Sequence, residues 1–147
     1  MTEKQILASE LFYKGYNCAQ AVAGAFADEL GMRQEELIAM SSAFGGGFAR
    51  TRNLCGAVSG MGLVISLSMN KTAPDDKGEV YATVREYTDR FIAEFSTLNC
   101  GELLKNVSGI TSHPQPDERT AQYYKKRPCT AFVAYAAGLL EEYFAKR

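Results

Sequence analysis

Apolar residues recur at helical spacing along most of the chain. The clearest stripe has steps of four, three, four and four residues, and it consists of Val80, Val84, Tyr87, Phe91 and Phe95. Such spacing places the apolar side chains on one face of an α-helix. No segment shows the strict alternation of apolar and polar residues that is typical of a strand. The pattern predicts an all-α bundle of about six to seven helices, with residues 1–147 forming one domain.

Short polar residues mark where these helices begin. Asn17, Asn53 and Asn99 each stand at the start of an apolar-periodic segment, where an asparagine side chain can accept a hydrogen bond from a free backbone N–H group. Asp117 is expected to cap a further helix in the same way. The stripe that follows Asn17 predicts one continuous helix over residues 18–30.

The most apolar segment spans residues 54–69 and contains three serines. A helix that crosses a bilayer needs roughly 20 mostly apolar residues, so this segment is expected to form a buried central helix. The N-terminal residues lack the basic and apolar regions of a secretory leader. We therefore expect a cytoplasmic protein with no membrane association. Because the cytoplasm is reducing, structural disulfides are not expected among the four cysteines.

Composition and charge narrow the classes of function. Hydrophobic residues make up 46% of the chain and charged residues 22%, which is typical of a packed soluble domain. The 16 Lys and Arg residues nearly balance the 17 Asp and Glu residues, for a net charge of -1. Nucleic-acid-binding domains usually carry a basic surplus, so a nucleic-acid partner is not expected.

Each of the four cysteines falls in the first turn of a predicted helix. They are Cys18 after Asn17, Cys55 after Asn53, Cys100 after Asn99, and Cys129 after Pro128. The free N–H groups and the dipole at a helix start stabilise a thiolate and lower the pKa of a thiol from about 8.5. Single buried cysteines are common in helical cores, but four at helix starts favour a functional thiolate site.

Basic residues precede two of these cysteines. Arg50 and Arg52 come before Cys55, and residues 125–127 are all basic and come before Cys129. Positive charge stabilises a thiolate, so both cysteines are expected to have lowered pKa values. The same charges would stabilise an anionic group held by the thiolates.

A run of three glycines, Gly45, Gly46 and Gly47, lies upstream of Cys55. Such a run lets the backbone approach a ligand closely, and its N–H groups can bind an anion. We expect these glycines, together with Arg50, Arg52 and Gly56, to contact a bound group. Gly56 and Gly60 also leave a flat surface against which another helix can pack. His113, in a proline-flanked loop, is assigned no role.

Several segments together resemble a known family. They read Tyr16-Asn17-Cys18-Ala19-Gln20, Gly45-Gly46-Gly47, Cys55-Gly56-Ala57-Val58-Ser59-Gly60, Asn99-Cys100-Gly101-Glu102 and Cys129. This combination is similar to the four-cysteine, CGAxxG-containing redox-active protein family of bacteria and archaea. The resemblance implies an all-helical domain whose hallmark residues are the four cysteines, with an iron–sulfur cluster as the expected prosthetic group. It also implies an oxidoreductase or a transporter-associated redox protein as partner.

Four hypotheses remain open from the sequence. The first is an electron-transfer protein whose four cysteines bind an iron–sulfur cluster. The second is a dithiol that cycles with a disulfide, with Cys55 paired to Cys100 or Cys129. The third is a non-catalytic interaction domain with tetrahedral zinc on the four cysteines, and the fourth is a helical protein without a cofactor whose cysteines are merely buried. Each of the four hypotheses is compatible with a homo-oligomeric protein.

Overall fold

The computed structural model describes residues 1–147, and all of its regular elements are helices, which confirms the predicted class. It has nine α-helices, more than the six to seven predicted, and two short 3₁₀ turns at Ser42–Phe44 and Pro74–Asp76. The α-helices are α1 (Glu3–Tyr13), α2 (Cys18–Gly24), α3 (Ala27–Leu30), α4 (Gln34–Ser41), α5 (Gly56–Met69), α6 (Lys77–Phe95), α7 (Cys100–Leu103), α8 (Ala121–Lys126) and α9 (Cys129–Ala145).

The prediction of one helix over residues 18–30 is wrong, and this accounts for part of the difference in number. Helix α2 ends at Gly24 and α3 begins at Ala27. Between them Phe26 leaves the helical conformation, with φ -110° and ψ 24°. Its side chain is fully buried and stacks on the ring of Phe144, with 5.7 Å between ring centroids. Burial of this aromatic ring overrides the local preference for a continuous helix.

Helix α5 lies at the centre of the bundle, as its apolar sequence predicts. It packs against α2, α6 and α9, and its buried residues include Met61, Val64 and Ile65. The predicted close approach at Gly60 is confirmed, because a Cβ atom there would lie 2.7 Å from the carbonyl oxygen of Ala19 in α2. None of the helices has both the length and the apolar composition needed to span a bilayer.

Helices α6 and α9 close the other side of the core. The stripe on α6 buries Tyr87 and Phe91. Tyr87 packs edge-on against Tyr143 of α9, and Phe91 contacts Phe132 of the same helix. Helix α9 also packs along α1 and α2, so the first residue of α9 is fixed relative to three neighbouring helices.

Two of the predicted asparagine caps are confirmed. The side-chain oxygen of Asn17 accepts a hydrogen bond from the backbone N–H of Gln20 at 2.9 Å. That of Asn99 accepts one from the backbone N–H of Glu102, also at 2.9 Å. These local contacts start α2 and α7 at a cysteine.

The other two predicted caps are wrong. Cys55 itself occupies the N-cap position of α5, while the Asn53 side chain donates a hydrogen bond to the Thr51 hydroxyl at 2.9 Å. Helix α8 is capped by Thr120. Asp117 forms ion pairs with two arginines instead, since a charge-assisted pair is stronger than a single cap hydrogen bond.

The segment before α5 contains an unusual left-handed turn. Residues 46–50 all have positive φ, including Phe48 at 75°, Ala49 at 50° and Arg50 at 63°. Arg52 is also left-handed, with φ 64°. This conformation costs an L-residue other than glycine roughly 1–2 kcal/mol. Hydrogen bonds across the turn hold it, such as those from Arg52 N to Gly46 O and from Asn53 N to Gly47 O.

Candidate functional site

The four cysteines, remote from one another in the sequence, line a single cavity of about 280 Å³. All four are free thiols, three of them buried and Cys18 half-buried. The other residues predicted to contact a bound group line the same cavity, namely Gly45, Gly46, Gly47, Arg50, Arg52 and Gly56. The structure therefore brings together the whole set of site residues inferred from the sequence, although their role stays a prediction.

Four helix starts surround this cavity. Cys18, Cys100 and Cys129 are the first residues of α2, α7 and α9, and Cys55 immediately precedes α5. The starts of α5 and α7 are joined directly by their backbones. Cys55 N donates to Leu98 O at 2.8 Å, and Cys100 N donates to Asn53 O at 2.6 Å. Two cysteines far apart in the chain are thus held side by side.

The glycines allow the left-handed turn to lie close to the cysteines. A Cβ atom on Gly47 would be 2.7 Å from the Cβ atom of Cys100, and one on Gly56 would be 3.2 Å from that of Cys18. Because such contacts leave no room for a side chain at position 47, glycine is required there for the turn to approach Cys100.

Arg52 extends from the left-handed turn to Cys100. Its Nη1 atom lies 3.8 Å from Cys100 Sγ, and its Nε donates to Thr111 O at 2.9 Å. The Nη2 atom is buried and has no hydrogen-bond partner. A buried N–H group without a partner is rare in proteins, so this atom marks a place for an acceptor.

Residues 108–119 have no regular structure and form a further wall of the cavity. We call this segment the strap. No backbone N–H group of the strap donates to a backbone carbonyl, so arginine side chains hold it instead. Arg50 donates to the carbonyl oxygens of His113 and Gln115. Arg50 and Arg127 also share the carboxylate of Asp117, at 3.1 and 2.5 Å.

One further arginine, Arg119, and the tyrosine Tyr123 complete the wall. Arg119 donates to Phe12 O and Tyr16 O at 3.1 and 3.0 Å, which ties the strap to the end of α1. The guanidinium groups of Arg119 and Arg127 both lie over the ring of Tyr123, 4.8 and 4.5 Å from its centroid. The cavity is thus lined by four arginines and one carboxylate.

Cys18 and Cys129 interact directly. The Cys18 thiol donates a hydrogen bond to the sulfur of Cys129, which lowers the pKa of Cys129, and Arg127 and Arg119 lower it further. The same hydrogen bond, together with burial, raises the pKa of Cys18 well above its usual range. The expectation of a lowered pKa is therefore confirmed for Cys129, where basic neighbours and a thiol donor act together.

The same expectation is wrong for Cys55. Burial raises the pKa of Cys55 to about 12, even though the backbone N–H groups of Ala57 and Val58 at the start of α5 act to lower it. Burial also raises the pKa of Cys100, against the opposing effect of Arg52. The helix start thus favours the thiolate of Cys55 as predicted, but loss of hydration outweighs it.

The four thiols line the cavity from four different helix starts. No three Cys, His, Asp or Glu side chains lie close enough together to ligate one metal ion. The pairing of Cys55 with Cys100 or Cys129 in a cycling dithiol stays a prediction.

Sequence reasoning missed Arg119, Asp117 and Tyr123 as wall residues. The sequence predicts a helix cap at Asp117 and gives no signal at Tyr123. Arg119 carries no local signal, because its hydrogen bonds to the carbonyl oxygens of Phe12 and Tyr16 span more than 100 positions of the chain. In the sequence, only the basic residues before Cys129 indicate this wall.

Comparison with known proteins gives one match. Residues 16–143 match the model of a family described as "Putative redox-active protein (C_GCAxxG_C_C)". No curated protein and no solved structure matches the chain. The matched range includes the four cysteines, the left-handed turn and the strap.

Proposed function

Because the chain belongs to this four-cysteine redox-active family, we propose that it is an electron-transfer protein whose four cysteines bind an iron–sulfur cluster inside the cavity. The observation that carries the proposal is that all four cysteines line one cavity together with four arginines. A cluster on four thiolates is anionic, and arginines around it would offset that charge.

The residues present fit such a group. Cys18, Cys55, Cys100 and Cys129 supply the thiolate donor set that iron–sulfur clusters use. The unpartnered Nη2 atom of Arg52 offers a hydrogen bond to an electron-rich ligand. A single zinc ion needs four donors within about 2.3 Å of one point, whereas a cluster spreads its four thiolates over several iron atoms. Because no three of these side chains lie close enough together to ligate one metal ion, the arrangement agrees better with a cluster than with one zinc ion.

The protein's own groups have distinct parts in this function. The four thiolates would hold the group, which supplies one-electron chemistry when it is bound. The strap and the aromatic residues Phe12, Tyr123 and Phe132 limit the access of water to the cavity. The arginines stabilise negative charge in the site, which favours its reduced state.

Purification without oxygen tests the proposal. We expect coloured protein that contains iron and acid-labile sulfide, and we expect a Cys55→Ala variant to lose both. As a control, Ser59→Ala changes a residue of the same helix that is not part of the cavity wall, and it should retain them. Wild-type protein that stays free of iron after anaerobic reconstitution would contradict the cluster.

A second candidate function is favoured by the contact between Cys18 and Cys129. Here the Cys129 thiolate attacks a substrate disulfide and forms a mixed disulfide, with release of one substrate thiolate. Cys18 then loses its proton to the released substrate thiolate, and its sulfur attacks Cys129, which breaks the mixed disulfide and releases the second substrate thiolate. The substrate disulfide is thereby reduced by two electrons, and the protein dithiol is oxidised to a disulfide.

Peptide mapping after mild oxidation of metal-free protein tests this candidate. We expect a disulfide that joins Cys18 to Cys129, and we expect it to be absent from a Cys18→Ser variant. Oxidised protein in which all four thiols remain free would contradict it.

A further inference from the structure

The guanidinium group of Arg52 is held in the cavity with one nitrogen unused. Its Nε is engaged by Thr111 O at 2.9 Å, and its Nη1 is 3.8 Å from Cys100 Sγ. Its Nη2 is buried without a partner. Burial of an unsatisfied donor lowers the stability of the folded protein, so this arrangement is better explained by a bound acceptor than by a structural role.

The backbone around Arg52 is built to keep it in this position. The residue is left-handed, with φ 64°, a conformation that is unfavourable for arginine. Its N–H donates to Gly46 O at 3.0 Å, and its carbonyl accepts from Gly101 N at 3.0 Å. The backbone of Arg52 is therefore fixed on both sides, to the left-handed turn and to the start of α7.

The charge of the cavity points to the kind of ligand. Three of its arginines already have acceptors, because Arg50 and Arg127 share Asp117 and Arg119 is bound to backbone carbonyls. Arg52 has no carboxylate partner among the ion pairs of the chain, although it lines the cavity beside Cys100. The remaining unpaired positive charge thus lies next to a sulfur atom.

We propose that Arg52 is a positioning residue that donates its free Nη2 hydrogen bond to the anionic group bound by the cysteines and so raises the reduction potential of the site. The inference rests on the proposed function. Uptake of one electron from a donor such as a reduced viologen dye makes the site more negative by one charge. A fixed guanidinium group stabilises that added charge.

Three variants test the inference by equilibrium redox titration under anaerobic conditions. Arg52→Gln removes the charge and the guanidinium fork, and we expect its reduction potential to fall below that of the wild type. Arg52→Lys keeps the charge but not the fork, and we expect a smaller fall. Arg85→Gln removes a positive charge from an exposed position on α6, and its potential should equal that of the wild type.

Iron and sulfide contents separate the possible outcomes. Iron-bearing Arg52 variants with an unchanged potential would overturn the inference while leaving the proposed function standing. Iron-free wild-type protein would contradict the proposed function, and the inference with it. Folded Arg52→Gln protein that has lost its iron would support the positioning role. If Arg52→Gln does not fold, the potential of Arg52→Lys decides, and a value equal to the wild type overturns the inference.

Discussion

The four cysteines share a place at a helix start but differ in their surroundings. Backbone N–H groups at the start of α5 favour the thiolate of Cys55, yet burial dominates and its pKa rises to about 12. The pKa of Cys129 falls because the Cys18 thiol and two arginines lie near it. A helix start therefore does not by itself make a reactive thiol. The nearby donors and cations decide which of the four is ionised.

We expect Cys129 to be the first thiol to react in metal-free protein. Because its pKa is lowered, its thiolate form is present from a lower pH than that of Cys55. Alkylation with iodoacetamide, followed residue by residue with mass spectrometry, should show Cys129 modified at neutral pH and Cys55 unmodified until far higher pH.

The Cys18→Ala variant provides the matched comparison for this prediction. Loss of the thiol donor should shift the alkylation profile of Cys129 to higher pH, since the thiolate loses its hydrogen bond. An identical profile in the variant would mean that Cys18 does not affect the ionisation of Cys129.

Among the elements, the strap depends most on a few side chains. Its backbone makes no regular hydrogen bonds, and the carboxylate of Asp117 joins it to Arg50 and Arg127. The guanidinium groups on both sides are largely buried, with side-chain exposures of 12% and 8%. Removal of a partner from a buried charge is costly, so the closed position of the strap should be sensitive to position 117.

We expect Asp117→Asn to open the strap more often and to expose the thiols. If the lost ion pairs cost about 1–2 kcal/mol, the open state becomes roughly five to thirty times more populated. The rate of reaction of metal-free protein with a bulky maleimide should rise accordingly.

Glu118→Gln is the control for this change, because it removes the same charge from the adjacent, exposed residue, which forms no ion pair. Its reaction rate should match that of the wild type. Equal rates for both variants would show that Asp117 does not keep the strap closed.

Across the whole molecule, the sequence predicts what depends on local interactions. The α6 stripe and the caps at Asn17 and Asn99 involve residues within a few positions of one another, and these predictions are confirmed. The starts of α2 and α7 at Cys18 and Cys100 follow from these two caps. What was missed depends on distant contacts, such as burial of Phe26 against Phe144.

The wall of the site shows the same division. The left-handed turn, Arg50 and Arg52 lie close to Cys55 in the sequence, so their positions in the sequence already point to them. The strap has no periodicity and no repeated motif, and its place over the cavity results from hydrogen bonds to residues about 60 positions earlier. Only the folded chain shows that Asp117 belongs to the site.

The wide separation of the four cysteines along the chain has a consequence for biogenesis. The cavity is incomplete until Cys129 has emerged from the ribosome and α9 has docked on α1 and α2. A nascent polypeptide that ends before this residue can offer three thiols at most. Under the proposed function, iron and sulfide would be delivered only after this last cysteine has been synthesised, and the donor would reach a nearly finished protein before the strap settles over the thiols.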